Sequence, residues 1–221
     1  MKASQEDQII ELISSSDENN NRSPMIKMNK HEIVQYQVFI DEEIGEPKKY
    51  RDLISALYSA GSNDVFNIII NSIGGYLSST LAIIEAIKTT NATVVAILTG
   101  DCHSAASIIA LHCHNIIVTD SATMMIHTVQ LGYGGNMHSV QRHADFSTKT
   151  SNELLHSTYE GFLTDKEMLD VRTGVELWLD SKEIKKHLNN KMKFLEEKLS
   201  KKNSKKPSRK TDLSDLDDST S

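Results

Sequence analysis

The chain has 221 residues, 38% of them hydrophobic and 24% charged, with a formal net charge of -6. That length supports one substantial domain with its own core, and the acidic balance excludes a chain-wide basic surface of the kind that grips nucleic acid. No apolar run reaches the roughly 18 residues that span a bilayer, the first residues lack the apolar core of a secretory signal, and two cysteines without a framework fit a reducing cytoplasm.

Along the chain, residues 1–25 are expected to be a flexible segment: an apolar cluster at Ile9, Ile10, Leu12 and Ile13 dissolves into the polar linker SSSDENNNRSP. The folded domain is expected over 26–197. In it, EIVQYQVFI alternates like a half-buried strand, and YRDLISALYSAG has helical spacing that ends on glycine. DVFNIIINSIGG is a buried strand running into two glycines. The helix YLSSTLAIIEAIKTT follows, with Leu77, Leu81, Ile84 and Ile87 expected on its apolar face. A second buried strand, ATVVAILTG, is expected to turn through DCH into the short apolar helix SAASIIALHC. Next come the strands NIIVTD and TMMIHTVQ, the turn LGYGG, and a long helix from about 136 to 162. A helix near Thr164, an edge at ELWLD and a helix from Ser181 to about Leu199 complete the domain. Strands alternating with helices make an α/β fold. From 198 to 221, seven Lys and Arg residues precede Asp212, Asp215, Asp217 and Asp218, a pattern that reads as a disordered, solvated tail.

The stretch GDCHSAASIIALHC, followed by His114, gathers residues that can bind metal or support catalysis. Cys102 and His103 stand about ten residues from His112, Cys113 and His114, roughly 15 Å apart along a helix. Zinc ligands must converge to about 2.0–2.3 Å from one ion, so the two groups cannot share a metal, and none is expected. Ser104 lies where a buried strand turns into a helix. A hydroxyl there projects from a tight turn toward the unpaired N–H groups of a helix start. An ordinary N-cap serine would look the same in isolation. Two further features favour a nucleophile. The glycines of NSIGG let a backbone N–H approach a ligand closely, which together with the Ala105 N–H would make a two-point oxyanion hole. His127 ends an apolar strand just before a glycine-rich turn, where an imidazole could act as general base.

Taken in order, NSIGG, GDCHSAAS and TMMIH resemble the motifs of the Clp protease proteolytic subunit, the ClpP-type serine peptidases, and look most like a phage-encoded branch. The resemblance implies a ClpP/crotonase-like spiral of repeated ββα units with a protruding handle helix. It also implies a serine endopeptidase with Ser104 as nucleophile, His127 as base, and Gly75 and Ala105 as oxyanion-hole donors. No cofactor is implied. Two positions depart from the family pattern: Ile73 stands for its proline, and Ala105-Ala106 for its Met-Gly. The third triad residue is an aspartate near the end of a helix in the family. Aligned on Trp178 that place falls on Arg172, and aligned on the helix start it falls on Val171. Asp170 is the nearest carboxylate and the expected third member, with Glu176 second.

The resemblance further implies an extended edge at 131–137 that pairs with a peptide or unfolded-protein substrate. It implies homo-heptameric rings, stacked in pairs, that an AAA+ unfoldase feeds. The chain has no GxxxxGK[ST] loop of its own, and no axial loop is recognisable near its start. Two other readings stand beside this one: a ring-forming homologue without peptidase activity, and an acyl-CoA enzyme of the crotonase type. The second would set carboxylates, rather than Ser104 and His127, over a thioester.

Overall fold

The computed structural model describes residues 33–130 and 132–204. Strands and helices alternate as β1 (Gln35–Ile40), α1 (Arg51–Ser59), β2 (Val65–Ser72), α2 (Leu77–Thr89), β3 (Thr93–His103) and α3 (Ala105–His112). They continue as β4 (Asn115–Val118), β5 (Thr123–Ile126), α4 (Met137–Tyr159), α5 (Asp165–Arg172), β6 (Leu177–Leu179) and α6 (Ser181–Ser204). This is the mixed α/β architecture expected from the alternation of apolar runs. Among the described residues, no helix is long and apolar enough to cross a membrane.

The sheet is parallel except at one edge. Strands β1, β2 and β3 run side by side, with Val38 beside Ile68 and Ile68 beside Ala96. On β2, Phe66, Ile68, Ile70 and Ser72 are buried at every second position, the period a strand dictates. Tyr36 stacks on Phe66 with ring centroids 4.2 Å apart. The longest strand, β3, organises the rest. One of its edges carries β2; the other carries β4 against Val95–Leu98 and then β5 against Asp101–His103. The sheet therefore steps from one neighbour to the next along a single strand, which is consistent with the expected spiral. Strand β6 closes β5 in antiparallel register.

Helix α3 is buried from Ala105 to Leu111. Its small residues let it sit close to the sheet, and Ser107 is the polar group it must satisfy. The Ser107 hydroxyl donates to Ser104 O at 2.7 Å, so the Tyr159 hydroxyl, 2.6 Å away, is the donor to Ser107 Oγ. This buried chain ties the end of α4 to the first turn of α3. Three side chains of α6 hold the same end of α4: His187 Nδ1 donates to Phe162 O at 2.7 Å, Lys191 to Thr158 O, and Lys198 to Glu160 at 2.6 Å. Burial lowers the Lys191 ammonium to about 8, because the charged form loses hydration there.

Four expectations are corrected. The DCH segment is not a turn: β3 continues through His103, since Asp101–His103 pair with Thr123–Met125. On α2 the buried face includes Thr80, Ile83, Ile84 and Ile87, while Leu81 is 39% exposed; the buried arc is rotated from the expected one. The long helix stops at Tyr159, and Gly161 follows with φ +76°. Helix α6 runs to Ser204, so the first residues of the expected tail are helical. The glycine-rich segment 132–136 pairs with no strand among the described residues, and its expected pairing is with a substrate. Expectations for residues 1–32, 131 and 205–221 lie outside the described residues.

Replacing Tyr159 by Phe removes one buried hydrogen bond while keeping the ring. Urea unfolding is expected to show a loss of about 1 kcal/mol. No loss would mean that the hydroxyl chain contributes nothing to the packing of α3 on α4.

Candidate active site

Four loops meet at the carboxyl ends of the parallel strands β1, β2, β3 and β5, the edge at which open α/β sheets bind ligands. They line a cleft of about 550 Å³ that contains Glu43, Gly75, Ser104, Ala105 and His127. Its remaining wall is mostly apolar, with Ile108, Met125, Leu154 and Leu155 prominent. A larger hollow of about 1020 Å³ between α4, α5 and α6 holds neither Ser104 nor His127.

Ser104 sits alone between the last residue of β3 and the first of α3. Its backbone has φ 52° and ψ -120°, the one positive φ outside glycine among the described residues. Such a conformation costs of order 1–3 kcal/mol and persists only where its surroundings fix it. Here they do. Ser104 N–H donates to Met125 O at 2.7 Å, and Ser104 O accepts from the Ser107 amide at 3.0 Å and from the Ser107 hydroxyl at 2.7 Å. The tight turn frees the side chain, and Ser104 Oγ lies 2.6 Å from His127 Nε2. His127 directly follows the last residue of β5, the strand paired beside the end of β3. The sequence-predicted hydroxyl and imidazole are therefore brought together.

The glycine pair of NSIGG closes on this serine. Gly74 and Gly75 have φ +95° and +148°, and a Cβ on Gly74 would stand 2.8 Å from Ser104 Cβ and 2.9 Å from Ala105 N. A Cβ on Gly75 would strike the backbone of Ile44. That contact exists because Ile44 N–H donates to Gly74 O at 2.7 Å and Tyr76 N–H donates to Ile44 O at 2.8 Å, a bridge that skips the Gly75 amide. Neither the Gly75 N–H nor the Ala105 N–H has an acceptor among the described residues. Two amides without acceptors among the described residues thus belong to residues that line the cleft with Ser104, a donor pair suited to a developing oxyanion.

The third partner is not in place in the same way. His127 Nδ1 makes no hydrogen bond with a described residue, and neither does the Asp170 carboxylate. Asp170 lies on the last turn of α5, whose end is sealed by a Schellman pattern: Gly174 N–H to Val171 O and Val175 N–H to Asp170 O, with Gly174 at φ +96°. Val171, one residue on, is the position that α5 turns into the core. Glu176 accepts from the Trp178 indole N–H at 3.2 Å.

The cysteine and histidine cluster has structural partners. His112 Nδ1 donates to Ile108 O at 2.8 Å, His114 Nδ1 accepts from Val94 N–H at 2.9 Å, and Cys113 donates to Ile109 O. The Thr123 hydroxyl donates to Asp101, so His103 Nε2 donates to Thr123 Oγ1 at 3.0 Å, and the His103 ring meets Trp178 edge-on. Among the described residues no three His, Cys, Asp or Glu side chains are grouped to hold a metal. Burial raises the Cys102 thiol well above its ordinary range and that of Cys113 to about 12. Sequence reasoning missed Glu43 as a lining residue. The available signal was its position, three residues past a parallel strand on the ligand-binding edge.

A family model for the Clp protease matches residues 16–187. The chain belongs to the Clp protease family. At the level of the family that implies a ClpP-like serine peptidase. A translocation-enhancing protein, TepA, of Halalkalibacterium halodurans is 34% identical over 86 residues, a match covering 38% of this chain and 34% of that protein. The matched stretch thus spans about a third of that relative.

Both cysteines are closed to solvent, Cys102 fully and Cys113 at 9% exposure. A thiol reagent such as DTNB at pH 8 is expected to modify neither within minutes in the native chain and both in denaturant. Rapid native modification would contradict the packing of α3.

Proposed function

We propose that this Clp protease family member is a serine endopeptidase that cleaves peptide bonds through an acyl-enzyme. Ser104 is the nucleophile, His127 the general base, and the Gly75 and Ala105 amides the oxyanion hole. The observation that carries this reading is the 2.6 Å approach of Ser104 Oγ to His127 Nε2 beside two uncommitted backbone N–H groups. Ser104 Oγ attacks the scissile carbonyl carbon while its proton passes to His127 Nε2. The carbonyl oxygen gains the electron pair and is held by the two amides. Collapse expels the amine, which takes the proton from His127. Water, deprotonated by the same imidazole, then hydrolyses the ester and returns the proton to Ser104.

Glu176 is a better orienting carboxylate for His127 than Asp170. In the antiparallel β5–β6 register Met125 faces Trp178 and Ile126 faces Leu177. One step further, His127 comes opposite Glu176. Directly opposed residues share a sheet face, and the hydrogen bond from Trp178 holds Glu176 on the face that carries Met125, a residue of the cleft wall.

Assembly into heptameric rings, stacked in pairs through α4, completes the proposal. The outer surface of α4 exposes Met137, Val140 and Phe146, apolar groups suited to burial between rings. An AAA+ unfoldase would supply unfolded substrate. A cytoplasmic location fits the two free, buried thiols. A ring-forming homologue without activity is the second reading, favoured by the unpartnered Nδ1 of His127.

Labelling with a fluorophosphonate probe tests the chemistry. Ser104→Ala is expected to abolish it, and His127→Ala to slow it by at least about 100-fold. Wild-type labelling by Ser104→Ala would remove Ser104 from the mechanism, and an unreactive, folded, oligomeric wild type would favour the inactive homologue. For peptide cleavage, Glu176→Gln is expected to lower kcat by about 10- to 100-fold and Asp170→Asn by less than twofold; the reverse order would return the orienting role to Asp170.

A further inference from the structure

We infer that Glu43 makes the cleft select peptides that carry a positive charge near the scissile bond, a lysine or arginine side chain. This rests on the peptidase reading and adds a substrate class to it. Among the residues lining the cleft, Glu43 is the one carboxylate, and His127 is the one basic side chain. With His127 neutral, as a general base must be, the cleft bears a net negative charge.

Two of the neighbouring carboxylates are occupied elsewhere, and the third, Asp41, does not line the cleft. Glu42 pairs with Lys49 at 3.0 Å and Glu46 with Lys48 at 2.9 Å. Glu43 makes no hydrogen bond or ion pair with a described residue; its charge acts at longer range on Lys49, which Glu42 holds, so a ligand cation would not have to displace a bonded partner.

Its backbone is held on both sides. Ser72 Oγ donates to Glu42 O at 2.6 Å, and the buried Ile44 is locked to Gly74 and Tyr76 through both its N–H and its carbonyl. The Glu43 backbone is therefore fixed to the loop that carries the Gly75 amide, so its side chain is tethered at the cleft. Glu43 is exposed, so its attraction for a cation acts through solvent and is screened by salt, while lining the cleft directs that field at an entering substrate. Beyond Glu43, the wall offers apolar contact through Ile108, Met125, Leu154 and Leu155. The substrate segment this suits is apolar with one cationic side chain.

The test uses the full-length chain and N-acetylated fluorogenic peptides that differ by Lys, norleucine or Glu at each position flanking the cleavage site. At one position, kcat/KM for Lys over Glu is expected to be at least fivefold in the wild type and to shrink as ionic strength rises. Glu43→Asp should keep the ratio, Glu43→Gln should bring it near one, and Glu43→Lys should invert it. An unblocked norleucine peptide separates a side-chain cation from a free N-terminus: preference for that peptide, with none for internal lysine, would reassign the recognised cation to the terminal amine. A ratio that survives Glu43→Gln, or equal rates for all three peptides, would overturn the inference. Anisotropy binding of the same peptides to Ser104→Ala reads the charge preference without turnover. Selective binding without cleavage by the wild type would count against the peptidase reading alone; cleavage without charge selection would count against Glu43 alone.

Discussion

The site depends on one strained residue. Ser104 takes a left-handed backbone that a non-glycine residue adopts only under compulsion, and three hydrogen bonds compel it: one to Met125 O and two from Ser107. Each of those partners belongs to a different part of the fold. Met125 fixes the serine to β5, the strand that delivers His127. Ser107 fixes it to α3, and Tyr159 fixes Ser107 to α4. Strain of order 1–3 kcal/mol is small against the burial of a whole helix, so the packing of α3 wins and the turn is held open. Without that turn the hydroxyl would cap its own helix, and the 2.6 Å approach to His127 would be lost.

The stepped sheet explains why the groups converge. In a parallel sheet the carboxyl ends of the strands share one edge, so loops distant in sequence arrive together. Gly74, Ser104 and His127 each follow a different strand end. The close approach of the Gly74–Gly75 loop is possible because neither residue has a Cβ to meet Ser104 or the Ile44 backbone.

The fold was legible in the sequence wherever apolar residues set a period. The strands around Ile68 and Ala96 and the helix around Ile84 follow directly from it. Ser104 was legible because a strand-to-helix turn with small residues after it is a local signal, and His127 because an imidazole closing an apolar strand is conspicuous. What escaped was non-local. The pairing of Asp101–His103 with Thr123–Met125 extends β3, yet no local cue marks DCH as strand. The rotation of α2 that exposes Leu81 is set by what α2 packs on, not by its own spacing. The orienting carboxylate was ambiguous because it depends on where α5 ends and how β6 registers against β5. A helix stop at Gly174 converts a one-residue alignment choice into a choice between helix and strand. Asp170 is the nearest carboxylate in sequence, whereas the proposal of Glu176 comes from the β5–β6 register.

A Ser–His pair of this geometry does not need a carboxylate to adopt the right ground state. For Ser104 to donate, Nε2 must be the bare nitrogen, so the neutral ring carries its proton on Nδ1, and solvent can accept it. In the proposed reaction the carboxylate would matter later, once His127 had taken the serine proton and bore a positive charge. At that stage a nearby negative group stabilises the imidazolium and restrains the ring, while the two amides stabilise the opposite charge on the oxyanion. Removing one oxyanion donor typically costs about 10²–10³ in rate, so in the proposed mechanism the Gly75 and Ala105 amides would set the larger part of the chemistry. The orienting carboxylate then tunes a site whose strained turn and free amides are already fixed by packing.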